Sequence, residues 1–166
     1  MSYPQGTAIA LDRMGYWDCQ LKPVDGGEEM VYWAHDEPIP EITKEQAEQA
    51  VRDYNVDMAY AVHKQRMDAL VSKYPYAETL DWRELESDAR AYLDNGVIGR
   101  QLQRFVDHGY DPIEYSTRVI TKADALDAAK IAMISARDQV RKEAAEADNP
   151  FVFDVATRFF ELVDAE

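Results

Sequence analysis

Three small groups of residues in this chain have side chains of the types that do chemistry. His35-Asp36-Glu37 sets an imidazole beside two carboxylates, as a metal site would. Consecutive residues of an extended segment point to opposite sides, however, so the triplet does not converge on one ion and reads as a solvated polar turn. Asp107-His108 with Asp111 supplies a base and carboxylates that could orient it. No serine or cysteine nucleophile accompanies them, and a histidine favoured by the dipole at a helix C-terminus accounts for the pattern. Glu84 and Asp88 stand four apart on one helical face and resemble paired carboxylates for acid–base work, although on so acidic a chain a solvated face explains them. Glycine-rich phosphate loops, nucleophile elbows and zinc-finger spacings do not occur. The reading is of a protein that is not an enzyme, with no catalytic residues, no metal ligands and no cofactor.

The composition narrows the partners. In 166 residues there are 32 acidic side chains against 18 basic ones, a formal net charge of −14. Such a surface repels phosphate backbones and anionic membrane surfaces, so neither nucleic acid nor membrane is expected as a partner. No stretch of the sequence approaches the length of apolar chain that spans a bilayer. Cys19 is alone, so no internal disulfide can form, and the thiol reads as a small apolar filler.

The elements that would carry these side chains are mostly helices. Asp111-Pro112 is a helix start, and no glycine or proline follows until Asn149-Pro150. The span to Ala147 predicts a helix of roughly 54 Å. Val119, Ile120, Ala123, Leu126, Ala129, Met133, Ala136, Val140 and Ala144 form one stripe along it, rich in alanine, against which other helices can pack closely. Thr43 with Gln46 makes a capping box for a second helix, whose stripe of Ala47, Val51, Tyr54, Met58 and Ala61 continues to Lys73. Asp81 with Glu84 repeats the box for a third helix lined by Trp82, Leu85, Ala89, Tyr92 and Leu93 and closed by Asn95-Gly96. A short fourth helix, Ile98 to Asp107, is capped by Gly109.

Residues 1–40 differ in texture, holding four of the seven glycines and two of the three tryptophans. Gly15 to Leu21 alternates as a half-buried strand, Met30 to His35 is its partner, and Asp25-Gly26-Gly27 supplies the turn. Thr7 to Leu11 is expected as a third strand. The expected fold is thus mainly α, antiparallel helices packed on one long helix, with a small N-terminal antiparallel β segment. The expected domains are that segment, 1–40, and a helical domain, 41–166.

After Pro150 the chain reads as a helix with two apolar faces, Val152, Val155, Phe159 and Leu162 beside Phe153, Ala156, Phe160 and Val163. Such a helix is either wedged in the protein's own core or, as broad aromatic surface at a terminus suits, docked in part on another chain or on a second copy of this one. Trp17, Trp33, Phe151, Phe153, Phe159 and Phe160 are the candidate partner-binding residues.

From Tyr76-Ala-Glu-Thr-Leu-Asp-Trp82, through Glu86 and Ala89-Arg-Ala-Tyr-Leu93, to Val119-Ile-Thr-Lys-Ala-Asp124 and Arg137-Asp-Gln139, the sequence resembles the short bacteriophage and prophage tail-fibre assembly proteins. In these motifs Trp82 would pin the start of a helix, and Tyr76 would cover the preceding turn. The resemblance implies a non-enzymatic protein that binds a tail fibre or another tail protein. One role is an assembly chaperone in the host cytoplasm, and the alternative is a structural subunit that stays in the virion tail.

Overall fold

The computed structural model of the chain describes residues 2–74 and 80–164. It is mainly α-helical with one small antiparallel sheet. The order is β1 (Ser2–Tyr3), α1 (Thr7–Arg13), β2 (Cys19–Val24), β3 (Gly27–Trp33), α2 (Lys44–Lys73), α3 (Leu80–Asn95), α4 (Arg100–Val106), α5 (Pro112–Glu146) and α6 (Val155–Val163), with a 3-10 turn at Pro150–Val152 before α6. The chain divides into two compact units, Met1–His63 with Ala136–Glu166, and Lys64–Ser135. Both long helices contribute to both units. The expected boundary near residue 40 is therefore not where the compact units divide, because the sheet shares its unit with the start of α2.

The N-terminal expectations hold in part. The turn at Asp25-Gly26 is as read: Val24 pairs with Gly27, and Gly26, the second turn residue, takes a positive φ of 78° that glycine adopts without strain. The strands themselves start later in one case and earlier in the other, at Cys19 and at Gly27. Thr7 to Leu11 is not a strand. It opens α1, with Thr7, Ala10 and Leu11 buried on a helical period, and a five-residue apolar run cannot by itself separate the two. The third strand is instead Ser2–Tyr3, paired with Glu28 and Glu29. The Glu28 carboxylate reaches over to accept from the Gly6 and Ala8 N–H groups (3.0 and 2.8 Å), which satisfies the first orphan donors of α1. Ala10, Leu11, Ile42, Ala47 and Ala50 form a core in this first unit, with Tyr16, Cys19, Leu21, Met30 and Trp33 packed around it.

The Thr43–Gln46 box forms as read, with Thr43 N–H on Gln46 Oε1 at 2.8 Å and Gln46 N–H on Thr43 Oγ1 at 3.2 Å. The stripe of α2 is rotated from the expected one. Tyr54 and Ala61 are exposed, and the buried line is Ala47, Ala50, Val51, Asn55, Ala59 and Val62. The polar Asn55 lies in that line because its Nδ2 donates to the Pro150 carbonyl at 2.9 Å. In the same unit the Arg52 guanidinium donates to the Ala147 carbonyl. The two bonds hold the end of α5 and the turn after it against α2. Replacing Asn55 with Ala should cost about 1–3 kcal/mol, because it leaves a buried carbonyl without its donor; urea unfolding of Asn55→Ala beside the parent chain measures this.

The long helix ends one residue before the expected Ala147. Its stripe is buried at Val119, Ala123, Leu126, Met133, Ala136, Val140 and Ala144, joined by Ser116. Asp111 accepts from the Glu114 N–H at 2.8 Å and caps it. In the first unit Tyr60 of α2 lies under the guanidinium groups of Arg137 and Arg141, 5.3 and 4.4 Å from the ring centroid.

Candidate functional site

The second unit contains an aromatic groove built from α3, α4 and the start of α5. Leu85, Ala89, Leu102 and Val119 are its buried base, with Trp82, Phe105 and Tyr115 packed around them. Helix α3 starts at Leu80, so Asp81 is not its cap but stands in its first turn; Tyr76 lies outside the described residues. Glu84 and Asp88, which read as a solvated acidic face, instead hold α4 in place. Asp88 Oδ2 accepts from the Gln101 and Leu102 N–H groups at 2.8 and 3.2 Å, the work of a helix cap done from a neighbouring helix. The carboxylate comes so close to Gly99 that a Cβ there would overlap it, so any other residue would push Asp88 out of its capping position. Glu84 accepts from Arg100 and from the side chain of Gln101, and these hydrogen bonds, the one from Gln101 foremost, hold its carboxyl below the ordinary value.

On that scaffold, Trp82, Leu85, Phe105, Tyr110 and Tyr115, with Asp81, Gln101, Arg104 and His108, line a groove of about 860 Å³. Phe105 stacks on Tyr115 with centroids 4.4 Å apart, and Tyr110 meets both rings at 6.0 and 5.1 Å. Arg118 lies over the Tyr115 ring at 5.1 Å. The polar groups have an order to them. Gln101 is buried; its Nε2 donates to Asp81 and Glu84, and its Oε1 accepts from Arg104 Nη1 at 3.0 Å. His108 Nδ1 is 2.6 Å from the Arg104 carbonyl, which can only accept, so that nitrogen carries the proton.

This arrangement does not assemble a catalytic base. Asp111 is occupied in capping α5, and Asp107 accepts from Gln103, so neither orients His108. His108 serves the end of α4, as the sequence suggested. His35 is part of an aromatic corner, with its ring 5.1 Å from Tyr16 and 4.8 Å from Trp33, while Glu37 accepts from both neighbours. Among the described residues no group of three or more His, Cys, Asp or Glu side chains could hold a metal ion.

The structure spreads the six candidate partner-binding residues over the first unit. Trp17 is 76% exposed. Trp33 is half-buried and donates its indole N–H to the Glu37 carbonyl at 2.8 Å. Phe151 is half-buried and lines, with Tyr3, Pro4 and Lys44, a cleft of about 450 Å³. Phe153 and Phe160 are half-buried as well. Phe159 has no exposed surface, so it belongs to the core and not to a docking face. The apolar face of α6 with Val155 and Phe159 turns inward, and Val152, expected on that face, is exposed in the 3-10 turn.

The groove itself was missed because each of its residues had a sufficient local explanation. Trp82 read as a structural pin and His108 as a helix end; the available signal was the run of aromatic residues at 82, 105, 110 and 115 around one short helix.

His63 adds a titration. Its Nε2 is buried with no hydrogen-bond partner, and burial, then the positive Arg137, push its pKa below the ordinary 6.5, with Asp138 opposing. A histidine depressed in the folded state stabilises above its unfolded pKa and loses that contribution as pH falls through the folded one. The urea midpoint of the parent chain should therefore begin to fall below pH 6.5, ahead of the loss from Glu143, whose carboxyl the Arg158 guanidinium holds low. In His63→Gln the first stage should vanish and the second remain.

No protein-family model, curated protein or solved structure matches this chain. No helix of the described residues is long and apolar enough to cross a membrane.

Proposed function

We propose that this is a non-enzymatic protein-binding protein of a bacteriophage tail, and that it holds a segment of the tail fibre as an assembly chaperone. The observation that carries the reading is the aromatic groove. Its volume and its mixture of stacked rings with a few oriented polar groups are those of a binding site, and nothing in it is arranged as nucleophile and base. The link to tail fibres rests on the resemblance. Of the residues that carry that likeness, Trp82 lines the groove, and Ala89 and Val119 lie in the buried core against which its rings pack. The acidic surface also suits a protein that must shield a sticky partner and then leave it.

Co-expression with a tail-fibre protein of the same genome tests the proposal. The expected result is more soluble fibre and a complex that co-purifies; equal fibre yield with and without this chain, and no complex, overturns it. Quantitative mass spectrometry of purified particles against the lysate then separates the two roles. A chaperone is abundant in the lysate and absent from particles, and a subunit is present in fixed ratio to other tail proteins.

A further inference from the structure

We infer that the groove of the second unit takes a peptide segment in which a bulky apolar side chain stands within two residues of a carboxylate, the carboxylate being held by Arg104. The inference rests on the reading of the groove as a protein-binding site and adds the chemistry of the segment.

The apolar half follows from the lining. Trp82, Leu85, Phe105, Tyr110 and Tyr115 present ring faces and edges, which gain most from an aromatic or branched apolar side chain. The acidic half follows from Arg104. This chain has far more carboxylates than cations, and its arginines are mostly paired: Arg13 with Asp57, Arg90 with Glu86 and Asp124, Arg100 with Glu84, Arg158 with Glu143. Like Arg118, which lies over the Tyr115 ring, Arg104 is not. Among the described residues its hydrogen bond is to the neutral Gln101 amide, and no carboxylate pairs with it.

That amide is itself fixed. Asp81 and Glu84 both accept from Gln101 Nε2, at 3.3 and 2.9 Å, so its carbonyl oxygen is left to accept from Arg104, itself part of the groove lining. Only part of the planar fork is used, and the rest is free to grip a carboxylate through charge-assisted hydrogen bonds. Asp81 is the acidic group of the lining, and the same bond to Gln101 engages it. His108, with Nδ1 spent on the Arg104 carbonyl, leaves Nε2 as a second polar group of the lining. A segment with a lysine in place of the carboxylate would set its ammonium against Arg104.

Selection of a displayed random heptapeptide library on the intact chain tests this, followed by fluorescence anisotropy on the selected peptides. The expected peptides pair Phe, Trp, Tyr or Leu with Asp or Glu within two positions. Changing that acid to its amide should weaken binding to the parent chain by about tenfold or more and leave binding to Arg104→Gln nearly unchanged. Arg104→Glu should reverse the preference and select Lys or Arg beside the apolar residue. Both variants alter an exposed side chain, and circular dichroism checks that they fold. Peptides that lose binding in Tyr110→Ala but ignore Arg104 would overturn the assigned chemistry and leave the groove as a peptide site. Selected peptides indifferent to both Tyr110 and Arg104, or none selected, would overturn both. N-acetylphenylalanine binding as tightly as the peptides would put a small carboxylate in the groove and overturn the peptide.

Discussion

Replacing Phe159 with Ala should remove about 3–5 kcal/mol of stability, the largest loss expected from any single substitution in the first unit. Among the described residues Phe159 is the largest with no exposed surface. Its removal takes the transfer free energy of a phenyl ring and leaves a hole that closely packed neighbours fill only in part. It stands on α6, a helix of nine residues capped by Asp154, whose side chain accepts from the Thr157 N–H at 3.0 Å. So short a helix has little stability of its own and stays folded through its packing. Urea unfolding gives the loss, and amide exchange gives its place: protection should drop across α6 and the rest of residues 1–63 and 136–164. A loss below about 1 kcal/mol would mean that the ring is not in a packed core.

Leu102→Ala should cost about 2–5 kcal/mol and act in the other unit. Leu102 is fully buried among Leu85, Ala89 and Val119, and it lies on the seven-residue α4, which Asp88 and Glu84 hold from α3. Here the exchange protection that falls should be that of 80–135. The substitution also removes the support beneath Phe105, so peptide binding in the groove should weaken along with stability, whereas Phe159→Ala should leave binding to the folded fraction unchanged. Equal effects of the two substitutions on both sets of amides would mean that the chain unfolds as one piece.

The features that were legible in the sequence are those decided by a few adjacent residues. The Asp25-Gly26 turn, the Thr43–Gln46 box, the Asp111-Pro112 start and the alanine stripe of α5 each rest on local geometry, and each is found where the residues place it. Thr7 to Leu11 failed because a short apolar run has no period of its own, and the partner that decides for helix, the Glu28 carboxylate on Gly6 and Ala8, is more than twenty residues away in the case of Gly6. Asn55 failed for a similar reason. A polar residue is not placed on a buried stripe until the carbonyl of Pro150 is known to meet it. The groove depends on pairings of α3 with α4 that only the folded chain supplies.

The first unit is assembled from the two ends of the sequence, and the second from the stretch between them. On a ribosome this sets an order. Residues 64–135 are all in hand before synthesis reaches the part of α5 that the first unit requires, so the groove can close while Arg52 and Asn55 of α2 still wait for the carbonyls of Ala147 and Pro150. At ordinary elongation rates that wait lasts on the order of several seconds for the N-terminal residues. During it the core of Ala10, Leu11, Ile42, Ala47 and Ala50 can already form, whereas Arg52 and Asn55 of α2 lack the carbonyls of Ala147 and Pro150. An interrupted or C-terminally shortened product should therefore carry a finished groove and an N-terminal half in which the buried Asn55 amide has no acceptor.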